Sequence, residues 1–411
     1  MMNPTNRKVT RVPGVWAGID AGKAHHHCVV IDADGKRLLS RRVANDETAL
    51  LELIGDVTAL AGARDGELTW AVDLNSGGAA LLIALLVNHD QRLLYIPGRT
   101  VHHAAGMYRG DGKTDAKDAA VIADQARMRR DLHVVHTGDP ISVELRILTG
   151  RRADLVADRT RTINRLRAQL LEYFPALERA FDYSTSKAAL VLLTGYQTPA
   201  ALRRTGANRL ETWLRHRKVR NATAVAQAAL QAANAQHTTV TGQDLAAAMV
   251  ARLAKGVMAL DEEITEIDAL IESRFRQHKH APVILSLPGF GVLLAAEFLA
   301  TTGGDMTAFG SPNRLAGVAG LAPVPRDSGR VSGNLHRPRR YSRRLLRVCY
   351  LSALISIRCC PASRAYYDRK RAEGKRHTQA VLALARRRLN VLWAMLRDGA
   401  LYQSVPPTAA A

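Results

Sequence analysis

The chain has 411 residues, with 58 Lys plus Arg against 37 Asp plus Glu, for a formal charge of +21. That length holds two or three domains with a buried core, and the positive surplus favours a polyanionic partner through counterion release. Four cysteines (Cys28, Cys349, Cys359, Cys360) have no paired metal-ligand spacing, Met1 to Pro13 lacks the apolar core of a signal peptide, and no apolar run reaches a membrane span of about 18 residues. A disulfide-stapled secreted fold and a membrane protein are thereby set aside, and a reduced cytoplasmic protein with no membrane partner is expected. A basic ribosomal or chromatin protein would carry the same charge, so charge alone names no reaction.

In chain order, strand-like runs at 14–20, 27–32 and 37–43 are joined by short turns, among them Asp32-Ala33-Asp34-Gly35, a strong hairpin signal. A helix is expected near 46–62, where Leu50, Leu51, Leu53, Ile54 and Val57 recur at helical spacing. A strand at 68–74, a helix at 78–88, a strand at 92–96 and a helix at 115–129 follow. This is the element order of a ribonuclease-H-like α/β domain, expected over 1–139. Residues 140–279 read as helical: Val250, Leu253, Val257, Leu260, Ile264, Ile267 and Ile271 alternate by three and four like a coiled-coil seam. The stretch Leu145–Leu171 carries Arg146, Arg151, Arg152, Arg159, Arg161, Arg165 and Arg167, which fit either a solvated basic face or a nucleic-acid-facing helix. A third region, 280–411, opens with Leu287-Pro288-Gly289-Phe290-Gly291 before an apolar helix, a turn that resembles phosphate-holding hairpins. Between 326 and 347 stand eight arginines and one acid, a density that points to phosphate contact.

Four acids carry the chemistry. Asp20 ends the run Val15–Asp20, Asp73 ends Leu68–Asp73, and Asp115 and Asp118 lie three apart at the start of a helix, a spacing that puts both on one face. Carboxylates gathered from strand ends and a helix start repel one another unless a divalent cation lies between them, and Mg²⁺ suits an all-oxygen site of that kind. Each acid has an ordinary alternative as a turn or first-turn residue. Asp124, on the same helix, reads as a salt-bridge partner. Ser328, between glycine and arginines, reads by default as a turn residue, with Arg326 and Arg330 placed to hold a phosphate if it reacts. His25-His26-His27-Cys28 alternates across a strand and cannot bind one ion. His102 and His103 precede the acidic helix without a fixed role. Gly110–Thr114 misses the phosphate-loop pattern by one position.

Four segments together resemble the IS-one-ten (IS110) family of insertion-sequence transposases. They are Gly18-Ile19-Asp20-Ala21-Gly22-Lys23, Gly112-Lys113-Thr114-Asp115-Ala116-Lys117-Asp118-Ala119, Leu287-Pro288-Gly289-Phe290-Gly291, and the run from Gly317 to Gly329 that includes Pro325-Arg326-Asp327-Ser328. They stand in the family's order, and the similarity spans nearly the whole chain. The resemblance implies a DNA recombinase with a RuvC-like catalytic domain (1–139), a coiled-coil oligomerisation region (140–279) and a mainly helical C-terminal transposase domain (280–411). It implies Asp20, Asp73, Asp115 and Asp118 as the Mg²⁺-binding tetrad and Ser328 as nucleophile, against the default for that serine. It further implies donor and target DNA, a structured bridge RNA pairing with both, and a dimer-to-tetramer in which tetrad and serine come from different subunits. Arg326, Arg330, Arg337, Arg339, Arg340, Arg343 and Arg344 are the expected nucleic-acid contacts. One departure is Asp73, where the family commonly has Glu; one methylene less is expected to alter metal geometry slightly. Two other readings remain: a metal-dependent Holliday-junction resolvase-like nuclease without serine chemistry, and a non-catalytic nucleic-acid-binding protein.

Overall fold

The computed structural model describes residues 14–74, 77–108, 112, 114–135, 139–336 and 338–404. Arg337 and the Met1–Pro13 segment, both considered above, lie outside the described residues, as does most of Gly110–Lys113. The chain divides into two compact units, Met1–Gly138 and Asp139–Ala411.

The first unit is a six-stranded sheet with helices on both faces. β1 (Gly14–Ala21), β2 (His25–Ile31) and β3 (Arg37–Ala44) form an antiparallel meander, followed by α1 (Glu47–Gly62), β4 (Glu67–Val72), α2 (Ala80–Asn88), β5 (Leu93–Tyr95), α3 (Gly98–Ala105), α4 (Asp115–Met128) and β6 (His133–Val134). The sheet order is β3-β2-β1-β4-β5-β6, with β4 parallel to β1 and β5 parallel to β4. This is the ribonuclease-H-like arrangement expected from the element order, extended by β6. The β2–β3 turn closes as the Asp-Gly signal requires: Asp32 Oδ1 accepts from the Asp34 and Lys36 amides at 3.0 and 2.9 Å, and Gly35 takes φ +81°.

Alternation along the strands sorts residues between two cores. Val15, Ala17, Ile19, Cys28, Val30, Trp70 and Val72 face α1 and α2. Asp46 caps α1 by accepting from the Ala49 amide at 3.0 Å, and Leu50, Leu53, Ile54 and Val57 bury its inner stripe, each contributing about 1.5–3 kcal/mol relative to exposure. The opposite face packs under α3 and α4, where Val29, Ile31, Ala71, Leu94 and Ile96 meet Val101, Ala104, Ala119, Ile122, Ala123 and Ala126. The sequence reading missed α3. It is only eight residues long and mostly polar, with Val101 and Ala104 as its buried residues, and their burial fixes it.

The second unit is helical. It begins with α5 (Pro140–Tyr173), α6 (Pro175–Ala180), α7 (Lys187–Gly195), α8 (Pro199–His216), α9 (Ala222–Asn234) and α10 (Gln243–Arg276). Then come α11 (Ala281–Ser286), α12 (Val292–Thr302), α13 (Pro312–Val318), the short strands β7 (Val324–Pro325) and β8 (Leu335–His336), and α14 (Arg343–Cys359), α15 (Pro361–Ala372) and α16 (His377–Asp398). The 34-residue helices α5 and α10 run antiparallel along one another. One end of the pair joins a core with α6–α9, through Ile163, Leu166, Leu170, Val250 and Val257. Its other end joins the C-terminal helices, through Leu145, Ile271 and Phe275. The heptad of α10 is thus used first within the chain, against α5. Arginines of α5 meet acids of α10: Arg151–Glu263 at 2.5 Å, Arg152–Asp268, Arg159–Asp261, and Glu144–Arg274 at 3.0 Å. Of the two readings open for this basic stretch, these side chains take neither: they lock the helical pair in register. No single helix among the described residues is long and apolar enough to span a membrane, and all four cysteines are free thiols.

A backbone-to-backbone approach constrains the first unit. A Cβ at Gly18 would lie 2.3 Å from both the Ala119 carbonyl oxygen and the Ala123 amide nitrogen, so α4 rests directly on the β1 backbone. Gly18→Ala is expected to cost about 1–3 kcal/mol or more, because the obstruction is backbone and cannot rotate away. Urea unfolding should show a lower midpoint with an unchanged slope.

Candidate active site

The acids of the first unit converge for reasons visible in the strand register. Ile19 stands beside Val72 in the parallel β1–β4 pair, so Asp20 and Asp73 follow side by side at the same edge of the sheet. Both continue the alternation of Gly18 and Ala71, which points to the α4 side. α4 starts above them. Thr114 caps it by accepting from the Lys117 amide at 3.2 Å, and its first turn carries Asp115 and Asp118, where the helix dipole favours negative charge. Asp20, Asp73 and Asp118 line one cleft of about 600 Å³ together with His102, Tyr108 and Lys117.

Asp115 is exposed and lies outside that lining; it is placed instead near His27 on β2. Burial pushes the His27 ring below its usual pKa, while the Asp115 carboxylate acts in the opposite sense. The one-face spacing of Asp115 and Asp118 therefore holds along the helix, but only Asp118 reaches into the cleft. Asp124 is bound up as expected, accepting from Tyr108 OH at 2.6 Å and pairing with Arg127 at 2.7 Å. His26 is buried and His25 exposed, the alternation that prevents a shared ion. Arg99 donates to His103 at 3.1 Å, away from the cleft that His102 lines.

Asp73 is the strained member of the group. Burial raises its carboxyl pKa, the nearby Asp118 charge adds to the rise, and the Ala21 amide, donating to Oδ1 at 3.4 Å, opposes it. The same carboxylate raises the pKa of Tyr95, behind burial as the larger cause. An all-carboxylate donor set fits a hard divalent cation. Among the described residues, however, no group of three Asp, Glu, His or Cys side chains is arranged to hold a metal ion as it stands. The donors have the right chemistry and share a cleft, and ion binding requires their side chains to close in. Lys117 and Tyr108 were given no role from sequence; Lys117 lies inside the quoted Thr114–Ala119 motif, and its place one residue before Asp118 was the available signal.

The serine lies in the second unit. β7 and β8 form an antiparallel hairpin, Arg326 N–H donates to the Asn334 carbonyl at 2.9 Å, and Ser328 bridges Val331 in both directions, at 3.1 and 2.9 Å. Gly329 in the turn takes φ +50°. The hairpin is held by Asp327 Oδ1, which accepts from the Asn334 amide at 2.9 Å. Ser328 is exposed at the tip, flanked by exposed Arg326 and Arg330; Arg339, Arg340 and Arg343 are exposed further along. Arg344 differs: it pairs with Glu297 at 2.6 Å and donates to Thr149 at 2.8 Å, so its guanidinium is spent on joining α14 to α12 and α5. The Leu287–Gly291 turn is also used internally. Gly289, at φ +89°, lies where a Cβ would meet the Ser352 carbonyl at 2.4 Å, so the turn is wedged against α14.

Residues 17–175 match the IS110-type DEDD transposase family model, and residues 281–368 match the model described as "Transposase IS116/IS110/IS902 family". The chain is 72% identical over 397 residues to the "Insertion element IS900 uncharacterized 42 kDa protein" of Mycobacterium paratuberculosis, covering 97% of this chain and 99% of that protein. It is 53% identical to the "Insertion element IS116 uncharacterized 44.8 kDa protein" of Streptomyces clavuligerus, covering 97% and 98%. Among solved structures, "T. thermophilus RuvC in complex with Holliday junction substrate" matches with a TM-score of 0.23 and 15% identity, over 30% of this chain and 99% of that chain.

The position of Asp73 gives a test. Its folded-state pKa lies above its unfolded value, so folding favours the protonated carboxyl, and ionisation costs stability as pH rises past the unfolded value. Asp73→Asn is therefore expected to melt higher than wild type at pH 8 without Mg²⁺, with the difference shrinking toward pH 4. Mg²⁺ is expected to raise the melting temperature of the wild type, and the same variant should lose that rise in thermal denaturation.

Proposed function

The chain belongs to the IS116/IS110/IS902 family of transposases, and on that premise we propose that it is the recombinase that excises and inserts its own insertion element by serine chemistry. The observation that carries this reading is the convergence of Asp20, Asp73 and Asp118 on one cleft, with Ser328 held exposed between arginines on a separate hairpin. In this reading Asp20, Asp73 and Asp118 hold Mg²⁺, and Asp115 joins them from the rim. Bound there, the ion supplies charge neutralisation at the reacting phosphodiester.

The rest of the chemistry belongs to the chain's own residues. Arg326 and Arg330 bind the phosphate beside Ser328 and offset the charge that grows on its oxygens. Ser328 Oγ gives up its proton and bonds to phosphorus, and the displaced sugar oxygen leaves as a strand-end hydroxyl after taking a proton. A strand-end hydroxyl of the exchange partner then attacks the phosphoserine and restores Ser328, so the backbone is resealed without an external energy source. The exposed arginines 339, 340 and 343 track donor and target DNA, and a bridge RNA encoded by the element supplies the target choice. Assembly to a dimer or tetramer is supported by Ile147 and Leu270, 66% and 54% exposed. They fall at the same level of the antiparallel α5–α10 pair, between the Glu144–Arg274 and Arg152–Asp268 contacts.

Purified protein, Mg²⁺, the element's flanking RNA and labelled donor and target DNA should yield a covalent protein–DNA adduct on a denaturing gel. Ser328→Ala is expected to abolish the adduct and recombination while DNA binding persists, and Asp20→Asn is expected to lower the rate by at least a hundredfold. Equal cutting by wild type and Ser328→Ala without any adduct would instead identify a hydrolytic nuclease built on the aspartates alone.

A further inference from the structure

The C-terminal helices enclose a groove of about 750 Å³ that the serine and the carboxylates do not use. Its walls are aliphatic, formed by Leu384, Val391, Met395 and Leu401, and the half-buried ring of Tyr366 on α15 lies along it. Three cations gather at that ring: the Arg369 and Arg387 guanidinium carbons at 5.1 Å from its centroid and the Lys370 ammonium at 5.6 Å. Arg369 and Lys370 share Glu373, at 3.9 and 2.7 Å. Exposed Arg387 has neither ion pair nor hydrogen bond among the described residues.

Arg388 lines the same groove and is 6% exposed. Its guanidinium reaches only neutral oxygens among the described residues: the Pro288 carbonyl, Ser352 Oγ at 2.9 Å and Ser363 Oγ at 3.4 Å. Its Nε has no partner. A buried charge answered only by neutral oxygens is costly, and a nearby anion lowers that cost. The carboxylate that lines the groove, Asp398, is already paired with Arg397 at 2.7 Å.

An apolar peptide would account for the walls but leave the cations unanswered, whereas a free anion would answer the cations and leave the walls empty. A nucleotide has both parts: a base with apolar faces and an anionic phosphate. We propose that this groove is a binding site for one unstacked nucleotide of a DNA strand, its base against Tyr366 and the aliphatic wall and its phosphate on Arg369 and Arg387. The proposal rests on the reading of this chain as a DNA recombinase and adds a base-holding subsite, separate from Ser328, that keeps a displaced strand from re-pairing. Aromatic stacking of this kind tolerates any base and acts together with a positive surface along the backbone.

The test uses the full chain and a short single-stranded DNA carrying one 5-iododeoxyuridine. Photo-crosslinking should map to Tyr366 by peptide mass spectrometry. Tyr366→Ala should weaken binding about five- to a hundredfold, and Tyr366→Phe should restore it. That loss should disappear with an oligonucleotide abasic at the same position. Arg387→Ala, at an exposed site that leaves the fold intact, should weaken binding and reduce the slope of log affinity against log salt by about one. Unchanged affinity in Arg387→Ala together with no crosslink at Tyr366 overturns the subsite while leaving the recombinase reading intact. Base-dependent binding seen only with the matching RNA oligonucleotide overturns the assignment to DNA. A wild-type chain that binds no nucleic acid overturns both readings.

Discussion

The close approach of α4 to β1 at Gly18 is the constraint on which the first unit's site depends. With 2.3 Å between a hypothetical Cβ and the helix backbone, no other residue type allows the helix to lie where it does. Ala119 and Ala123 complete the contact from the helix side. That seating brings the first turn of α4 over the strand edge where Asp20 and Asp73 emerge. A wider spacing would leave Asp118 out of the cleft, and the acids would be ordinary strand-end and first-turn residues.

Bringing those acids together creates unfavourable electrostatics that protonation or a bound cation relieves. Asp73 shows it most clearly: burial and the Asp118 charge both disfavour its ionised form, and one amide from Ala21 compensates in part. The amino end of α4 offsets some of the repulsion at Asp118 through its dipole. The fold thus keeps three carboxylates in one cleft, with a cost in stability that falls on Asp73. Lys117 lines the same cleft and brings a positive charge to it.

The second unit is organised by a different interaction. Its two 34-residue helices are too polar along their middle to be held by apolar burial alone, and the Arg–acid pairs from Glu144–Arg274 to Arg159–Asp261 fix their register. Each pair is partly exposed and individually worth little, about 0.2–1 kcal/mol, but their shared spacing selects one alignment over slipped ones. The helical pair consequently connects two separate cores, one with α6–α9 and one with the C-terminal helices. Arg388 plays the corresponding part at the C-terminal end, tying α16 to α14, α15 and the Leu287–Gly291 turn.

The sequence by itself determined the strand and helix order of the first unit, the Asp-Gly turn at 32–35 and the long amphipathic helix at 250–271, because period-two and period-3.6 patterns are local. It also placed Asp20 and Asp73 at the ends of apolar strand-like runs, and the parallel pairing of β1 with β4 then set them side by side. Tertiary structure alone decided which acids meet. Asp115 and Asp118 share a helix face, yet only Asp118 reaches the cleft, because the helix's seating on β1 sets which part of its first turn faces inward. It likewise decided that Arg151, Arg152, Arg159 and Arg344 bind carboxylates of the chain itself: a basic run has the same composition whether it faces phosphate or a neighbouring acidic helix. α3, eight residues with two buried, and the β7–β8 strands, two residues each, are too short to stand out from sequence and exist because of what they pack or pair against.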